Sequence, residues 1–538
     1  MKKYFYIALI LLGIAFPACD DWLDVSPDPR TTLDSPKKVT QFLITAYPQA
    51  NYALIAEFSA DNLMDNQILG WNKQDFEKID SELFQWQDVK SSTDEDSPYH
   101  LWASYYHSIA AANHALEAIE KLKKQGYTDK ELNPQKGEAL LIRAYSHFIL
   151  VNIFAKTYKD SENSANDLGV AYITQPLSDL LAVYDRNSVA EVYNFIEKDL
   201  EEGIPLIDDN LYDVEKYHFN LPAAHAFASQ FYLYKRDYEK VVQHADVVLG
   251  KVPSALLRDW QTVYSNPDTE SIVYIATGSP ANLLILPTLS VYQRRFNAYR
   301  YGWNDYARMG TDGPGPTWDE RPPFFTGWLW TYGAEYGAFH SKIMEFFEYT
   351  DKVAGIGFPR IVRTEFTTDD VLLNRAEAKI MLNDYEAAIT DLNYWNISHN
   401  ATKNLTADAI KTFYSERNPY SVFFSYLFHT KELSPSFVVT PEQKPLIDCV
   451  LHFRRLERVL EGHRWFDIKR YGIEVTHYVG KAADKLVLTY DDDRRAIQIP
   501  SDVIGAGVEP NPRKYAAGEA QQSLTPMPYT SNIQFKEK

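Results

Sequence analysis

Two stretches decide how this chain folds: FYLYKRDYEKVVQHA at 231–245 and AKIMLNDYEAAITDL at 378–392. Laid over one another, they bring Lys235-Arg236-Asp237-Tyr238-Glu239 onto Leu382-Asn383-Asp384-Tyr385-Glu386. In both copies Asp-Tyr-Glu is followed by apolar residues, Val241 and Val242 in the first, Ala388 and Ile389 in the second. Each stretch reads as the turn between two helices of a hairpin. The competing reading is chance likeness between two amphipathic hairpins.

Outward from these turns, helical periodicity recurs in pairs. Leu101, Tyr105, Ile109, Ala112, Leu116 and Ile119 fall at steps of three and four, which places them on one helix stripe. Asn133 and Pro134 predict the cap and first turn of a partner helix, whose stripe continues through Leu141, Ala144, Tyr145, Phe148 and Val151. Capping boxes at Ser188 with Glu191 and at Thr367 with Asp370, and a related start at Thr440, Pro441 and Gln443, mark helical segments near 188–207, 367–382 and 440–460. One helix pair cannot bury its own face, so such pairs must stack into a continuous core; the shared turn resembles that of a tetratricopeptide repeat. The expected fold is mainly α, a tetratricopeptide-like helical-repeat scaffold over about 35–250 and 365–472.

Between the two copies, about 254–363 lacks sustained helical periodicity and is dense in Gly, Pro and aromatic residues. That aromatic content excludes a floppy linker and predicts a long, irregular but ordered loop insertion, the kind of element that carries a binding surface on a rigid scaffold. Residues 473–538 read as an irregular C-terminal segment.

At the other end, Lys2 and Lys3, the apolar run Tyr4 to Phe16, and Pro17-Ala18-Cys19 read as a lipoprotein signal, 1–18, with acylation of Cys19 after cleavage. Phe16 departs from the Leu usual three places before such a cysteine, and an ordinary secretory signal is the alternative. The other of the two cysteines, Cys449, then has no disulfide partner, so stability must come from packing. No later run approaches about 18 consecutive apolar residues. With 45% hydrophobic residues there is ample material for a large core. A net charge of −19 disfavours nucleic acid and anionic lipid and suits a neutral ligand.

Arg454-Arg455-Leu456-Glu457-Arg458-Val459-Leu460-Glu461-Gly462-His463-Arg464-Trp465-Phe466-Asp467-Ile468-Lys469-Arg470-Tyr471-Gly472 resembles the signature of the SusD/RagB family. Cys19-Asp20-Asp21-Trp22-Leu23-Asp24, the turn from Arg375-Ala376-Glu377-Ala378 to Tyr385, and Ile497-Gln498-Ile499-Pro500 extend the resemblance over nearly the whole of 19–538. It departs at Val459-Leu460, where many members have Ala-Phe. The resemblance implies a lipoprotein anchored at the cell-surface side of the outer membrane, which captures oligosaccharide and hands it to a SusC-like TonB-dependent transporter. A RagB-like capture of peptide, and a repeat scaffold that binds another protein, are the alternatives. Within the signature, Arg454, Glu457, Arg458 and Glu461 stand at helical spacing and Arg464 is within reach of Asp467, an arrangement that reads as helix locking rather than a ligand site.

A glycan site needs flat aromatic platforms fringed by amides or carboxylates. The candidates are Trp71 and Asn72 in the polar run 61–86, and Tyr301, Trp303, Asn304, Trp318, Trp328 and Trp330 in the insertion. Trp71 and Trp303 are preferred, each beside an Asn in a Gly-containing turn; for every tryptophan, core packing is the competing role. Catalysis is not expected: no nucleophile elbow, zinc-binding helix or phosphate loop is present, and the acidic runs Asp94-Glu95-Asp96, Asp319-Glu320 and Asp491-Asp492-Asp493 read as solvated faces. No cofactor is implied; a structural Ca²⁺ at an acidic loop stays open, though no segment follows the spacing of an EF-hand.

Overall fold

A computed structural model describes residues 32–66, 78–176, 184–265, 269–296, 300–304, 307–308, 310–319, 322–323, 329–331, 337–415, 432–479 and 484–514. Its helices of seven or more residues are α1 (Pro36–Leu43), α2 (Ala53–Ser59), α3 (Lys78–Phe84), α4 (Pro98–Lys124), α5 (Asp129–Phe154), α6 (Val189–Gly203), α7 (Leu221–Lys235), α8 (Tyr238–Leu249), α9 (Thr368–Met381), α10 (Tyr385–Ser398), α11 (Ala407–Phe413), α12 (Gln443–Glu457) and α13 (His463–Tyr471). The pairs α4/α5, α7/α8 and α9/α10 pack as hairpins, and α9 also lies against α8 and α12, so the repeats share one core.

The two aligned turns have the same geometry. Arg236 and Asn383, which occupy equivalent positions, both take left-handed φ, 65° and 66°. The following Asp237 and Asp384 cap the next helix, accepting from the amides of Lys240 at 3.2 Å and Ala387 at 3.3 Å. A left-handed residue ends one helix and a capping carboxylate starts the next, which is why Asp-Tyr-Glu recurs.

The box at Ser188 forms as the spacing predicts; Thr367 accepts from the Asp370 amide while its hydroxyl donates to the Asp370 carboxylate, and Gln443 exchanges hydrogen bonds with Thr440. One helix start is corrected. The helix expected from Asn133 begins at Asp129, because Glu131 reaches back to the amide of Thr128 at 2.8 Å and its hydroxyl at 2.7 Å. Pro134 therefore lies inside α5 rather than at its first turn.

The insertion holds more regular structure than its sequence predicts. Strands β2 (Asn282–Leu289), β6 (Phe346–Asp351) and β7 (Ile356–Thr367) form an antiparallel sheet in the order β2-β7-β6. A second sheet runs β3 (Tyr301–Gly302), β1 (Met64–Asp65), β8 (Val475–Val479), β9 (Asp484–Leu488), and β4 (Leu329–Thr331) pairs with β5 (Ala338–His340). The segment after Gly472, read as irregular, thus contributes two strands.

Packing around Gly462 sets a pH dependence. With a φ of +90° it stands at the start of α13, and an added Cβ would lie 2.8 Å from the Cα of Ala53. Its amide donates to the buried carboxylate of Glu57 at 2.7 Å. Burial pushes Glu57 from 4.5 to about 7, against the hydrogen bonds from Asn62 and Gly462. A carboxyl raised in the folded state favours folding below its unfolded value, and that contribution is lost as pH climbs through the raised one. The melting temperature of Glu57→Gln is therefore expected to vary less between pH 4.5 and 7 than the parent's; parallel curves would refute it.

Candidate ligand-binding face

The signature is buried architecture. Arg454 donates to Asp467 at 2.9 Å and to Glu377 of α9 at 2.8 Å, and Arg470 donates to the same Glu377 oxygen at 2.7 Å. Arg458 holds Glu461 at 2.9 Å and Asp370, and Trp395 of α10 donates to Glu457 at 2.9 Å. Arg464 does not reach Asp467, as its spacing suggested, but pairs with Asp61 at 2.7 Å. Burial favours a neutral Glu377, yet Arg470 and Arg454 outweigh it and hold its carboxyl at about 2.

The two candidate regions meet at one seam. β1 pairs with β3, Met64 opposite Gly302 and Asp65 opposite Tyr301. Beyond the pair, the Asn66 amide donates to the carbonyl of Arg300 at 2.7 Å, and Asn304 Nδ2 donates to Asn66 Oδ1 at 2.7 Å. The Ala338 amide donates to the carbonyl of Trp303 at 2.9 Å, joining the β4/β5 hairpin to the same edge. Residues 67–77, which carry Trp71 and Asn72, follow Asn66 in the chain and lie outside the described residues. Asn66 was not among the candidates, although it stands in the same polar run, 61–86, that carries Trp71.

At this seam the expectation of open indole faces is corrected for the described residues. Tyr301 is buried against Phe84, with ring centroids 4.7 Å apart, and its hydroxyl meets that of Ser81 at 2.7 Å. Trp303 is 1% exposed; its indole nitrogen donates to Thr311 at 3.2 Å and the Arg308 guanidinium covers the ring. Trp318 is 7% exposed, stacked on Phe453 of α12, and donates to the carbonyl of Gly313 at 2.9 Å. Asn304 is buried in its bonds to Asn66 and to the Ala307 amide. All four are buried by packing and hydrogen bonding within the fold and offer no open face to a sugar ring. Trp330 lies in β4 opposite Phe339. Trp71, Asn72, Trp328 and Cys19 lie outside the described residues.

The acidic runs behave unequally. Asp96 is buried and accepts from the Ser290 hydroxyl and the Val291 amide, both at 2.8 Å, so it ties α4's start to the insertion instead of facing solvent. Asp493 is likewise buried, 3.2 Å from Lys156, whereas Asp319 is open to solvent. Among the described residues, no three His, Cys, Asp or Glu side chains are grouped to hold a metal ion, and no helix is long and apolar enough to cross a membrane.

Stacked helix pairs with a sheet-bearing insertion define the class: a tetratricopeptide-like repeat scaffold. Residues 21–233 match the family described as starch-binding and associating with the outer membrane, and residues 334–530 match the SusD family. The chain is 23% identical to SusD-like protein P38 of Formosa agariphila, over 87% of this chain and 92% of that protein. A crystal structure from Bacteroides vulgatus superposes with a TM-score of 0.63 at 19% identity, covering 89% of this chain and 98% of the other. A SusD-like carbohydrate binding protein of the same species gives 0.55 at 16%, covering 88% and 95%. The chain belongs to the SusD/RagB family.

Proposed function

We propose that this protein captures oligosaccharide at the cell surface and hands it to a SusC-like TonB-dependent transporter of the outer membrane, tethered there by acyl chains on Cys19. It breaks no bond, and no cofactor enters the reading. The observation that carries it is the seam: hydrogen bonds between Asn66 and Asn304 and between Asn66 and Arg300 bring the roots of two aromatic, amide-bearing stretches side by side on a rigid scaffold. The family's description as starch-binding and outer-membrane-associated supports the cargo and the location, as does a carbohydrate-binding relative of the same fold. Net charge of −19 accords with a neutral cargo.

The test is calorimetry of the purified protein against a panel of neutral oligosaccharides and oligopeptides. Trp71→Ala is expected to weaken sugar binding roughly tenfold or more, equivalent to about 1.4 kcal/mol, with the melting temperature unchanged. Binding of peptides but no sugar would replace the cargo, and hydrolysis products would overturn the non-catalytic reading.

A further inference from the structure

A cleft of about 1080 Å³ opens between α1, the loop 211–218 and the β2-β7-β6 sheet. Ligand sites typically span about 300–1,000 Å³, so several sugar rings fit. The cleft shares no lining residue with the seam around Asn66 and Asn304.

Its walls have the features a saccharide needs. Tyr217 and Phe346 each stand 44% exposed, a large open area for aromatic rings and a suitable platform for the apolar face of a sugar. Tyr212 stacks on His218 with centroids 3.4 Å apart and planes within 5°. That stack is fixed from behind: Glu138 accepts from the Tyr47 hydroxyl at 2.7 Å and lies 2.9 Å from His218 Nδ1. The Tyr212 hydroxyl is buried with no hydrogen-bond partner among the described residues, leaving one polar group unmatched at the wall. Gln41 and Gln49 stand exposed on the rim and supply amides for hydroxyl groups.

The charge pattern narrows the ligand. Lys37 and Arg360 are balanced by Asp213 and Glu348 in the lining, and Arg360 is paired with Glu348. A balanced lining favours an uncharged ligand over an anionic one.

We propose that this cleft is a second saccharide-binding site that takes a segment of a neutral glycan chain; this rests on the glycan reading above. Two contact points on one polymer raise its retention through effective concentration, without tighter grip at either point.

The experiment is native affinity electrophoresis of the full chain through gels containing soluble starch, xylan, mannan, β-glucan or levan. Tyr217→Ala combined with Phe346→Ala is expected to lose at least tenfold in affinity for the polysaccharide that retains the parent. Both rings are partly in solvent, so an unchanged melting temperature certifies the fold. Retention equal to the parent's overturns the cleft, as does cleft-dependent binding of casein peptides in place of sugar. If Trp71→Ala loses retention while the cleft variant keeps it, only the cleft assignment falls. If no polysaccharide retains the parent, the glycan reading falls and the cleft with it.

Discussion

Glu377→Ala is expected to be among the most destabilising single substitutions in this chain, by about 3–5 kcal/mol. Glu377 is fully buried and accepts from two arginines, Arg454 on α12 and Arg470 on α13. Removing the carboxylate leaves two guanidinium groups facing each other in an apolar interior, with Asp467 as the shared counter-charge within reach. The cost is the uncompensated burial of charge rather than the loss of an attraction. Equilibrium urea unfolding measures it directly, and a midpoint equal to the parent's would refute it. The held-down carboxyl adds a pH signature. Because Glu377 sits near 2 when folded, its contribution is present above its ordinary value and disappears only as pH falls toward 2.

Trp303→Ala is expected to cost about 3–5 kcal/mol of stability and to lose ligand binding only as far as the fold is lost. The indole fills the joint between β3, β5 and the 307–312 turn, with Thr311 on its nitrogen and Arg308 over its face. Its removal opens a cavity at this joint and strips Arg308 of its cover. Thermal melting separates this from a binding defect: a variant that melts with the parent but no longer binds sugar would restore Trp303 as a contact residue.

Trp303 shows where sequence reading stops. A tryptophan beside an asparagine in a glycine-containing turn has the same local pattern whether it faces solvent or a core. What separated the two here was the pairing of Trp303 with Ala338, a contact that spacing does not encode. The helix pairs were legible because their period and their Asp-Tyr-Glu turn are local. Even there, Thr128-x-x-Glu131 lay one turn upstream of the more conspicuous Asn133-Pro134 and outcompeted it. The strands of the insertion were hidden because glycine, proline and aromatic density dominated the composition, while β7 pairs on both sides with partners that turn signals did not delimit. Within the signature the Arg458–Glu461 pair was legible from its spacing, but the partners that come from far along the chain were not. Asp61 and Arg464 stand 403 residues apart in sequence, and only the packing of α2 against α13 brings them together. Of the candidate ligand residues, Tyr301, Trp303, Asn304 and Trp318 are placed by burial, while Trp71, Asn72 and Trp328 lie outside the described residues.

The grip on Glu377 also changes how the molecule comes apart. In a simple array each unit touches only its neighbours, so melting can spread from an end, one unit at a time. Here a single side chain on α9 is clasped by cations from two helices that follow much later in the chain. Fraying of the last helices would strand a lone anion in the middle of the stack, so the later half of the scaffold must hold or collapse together.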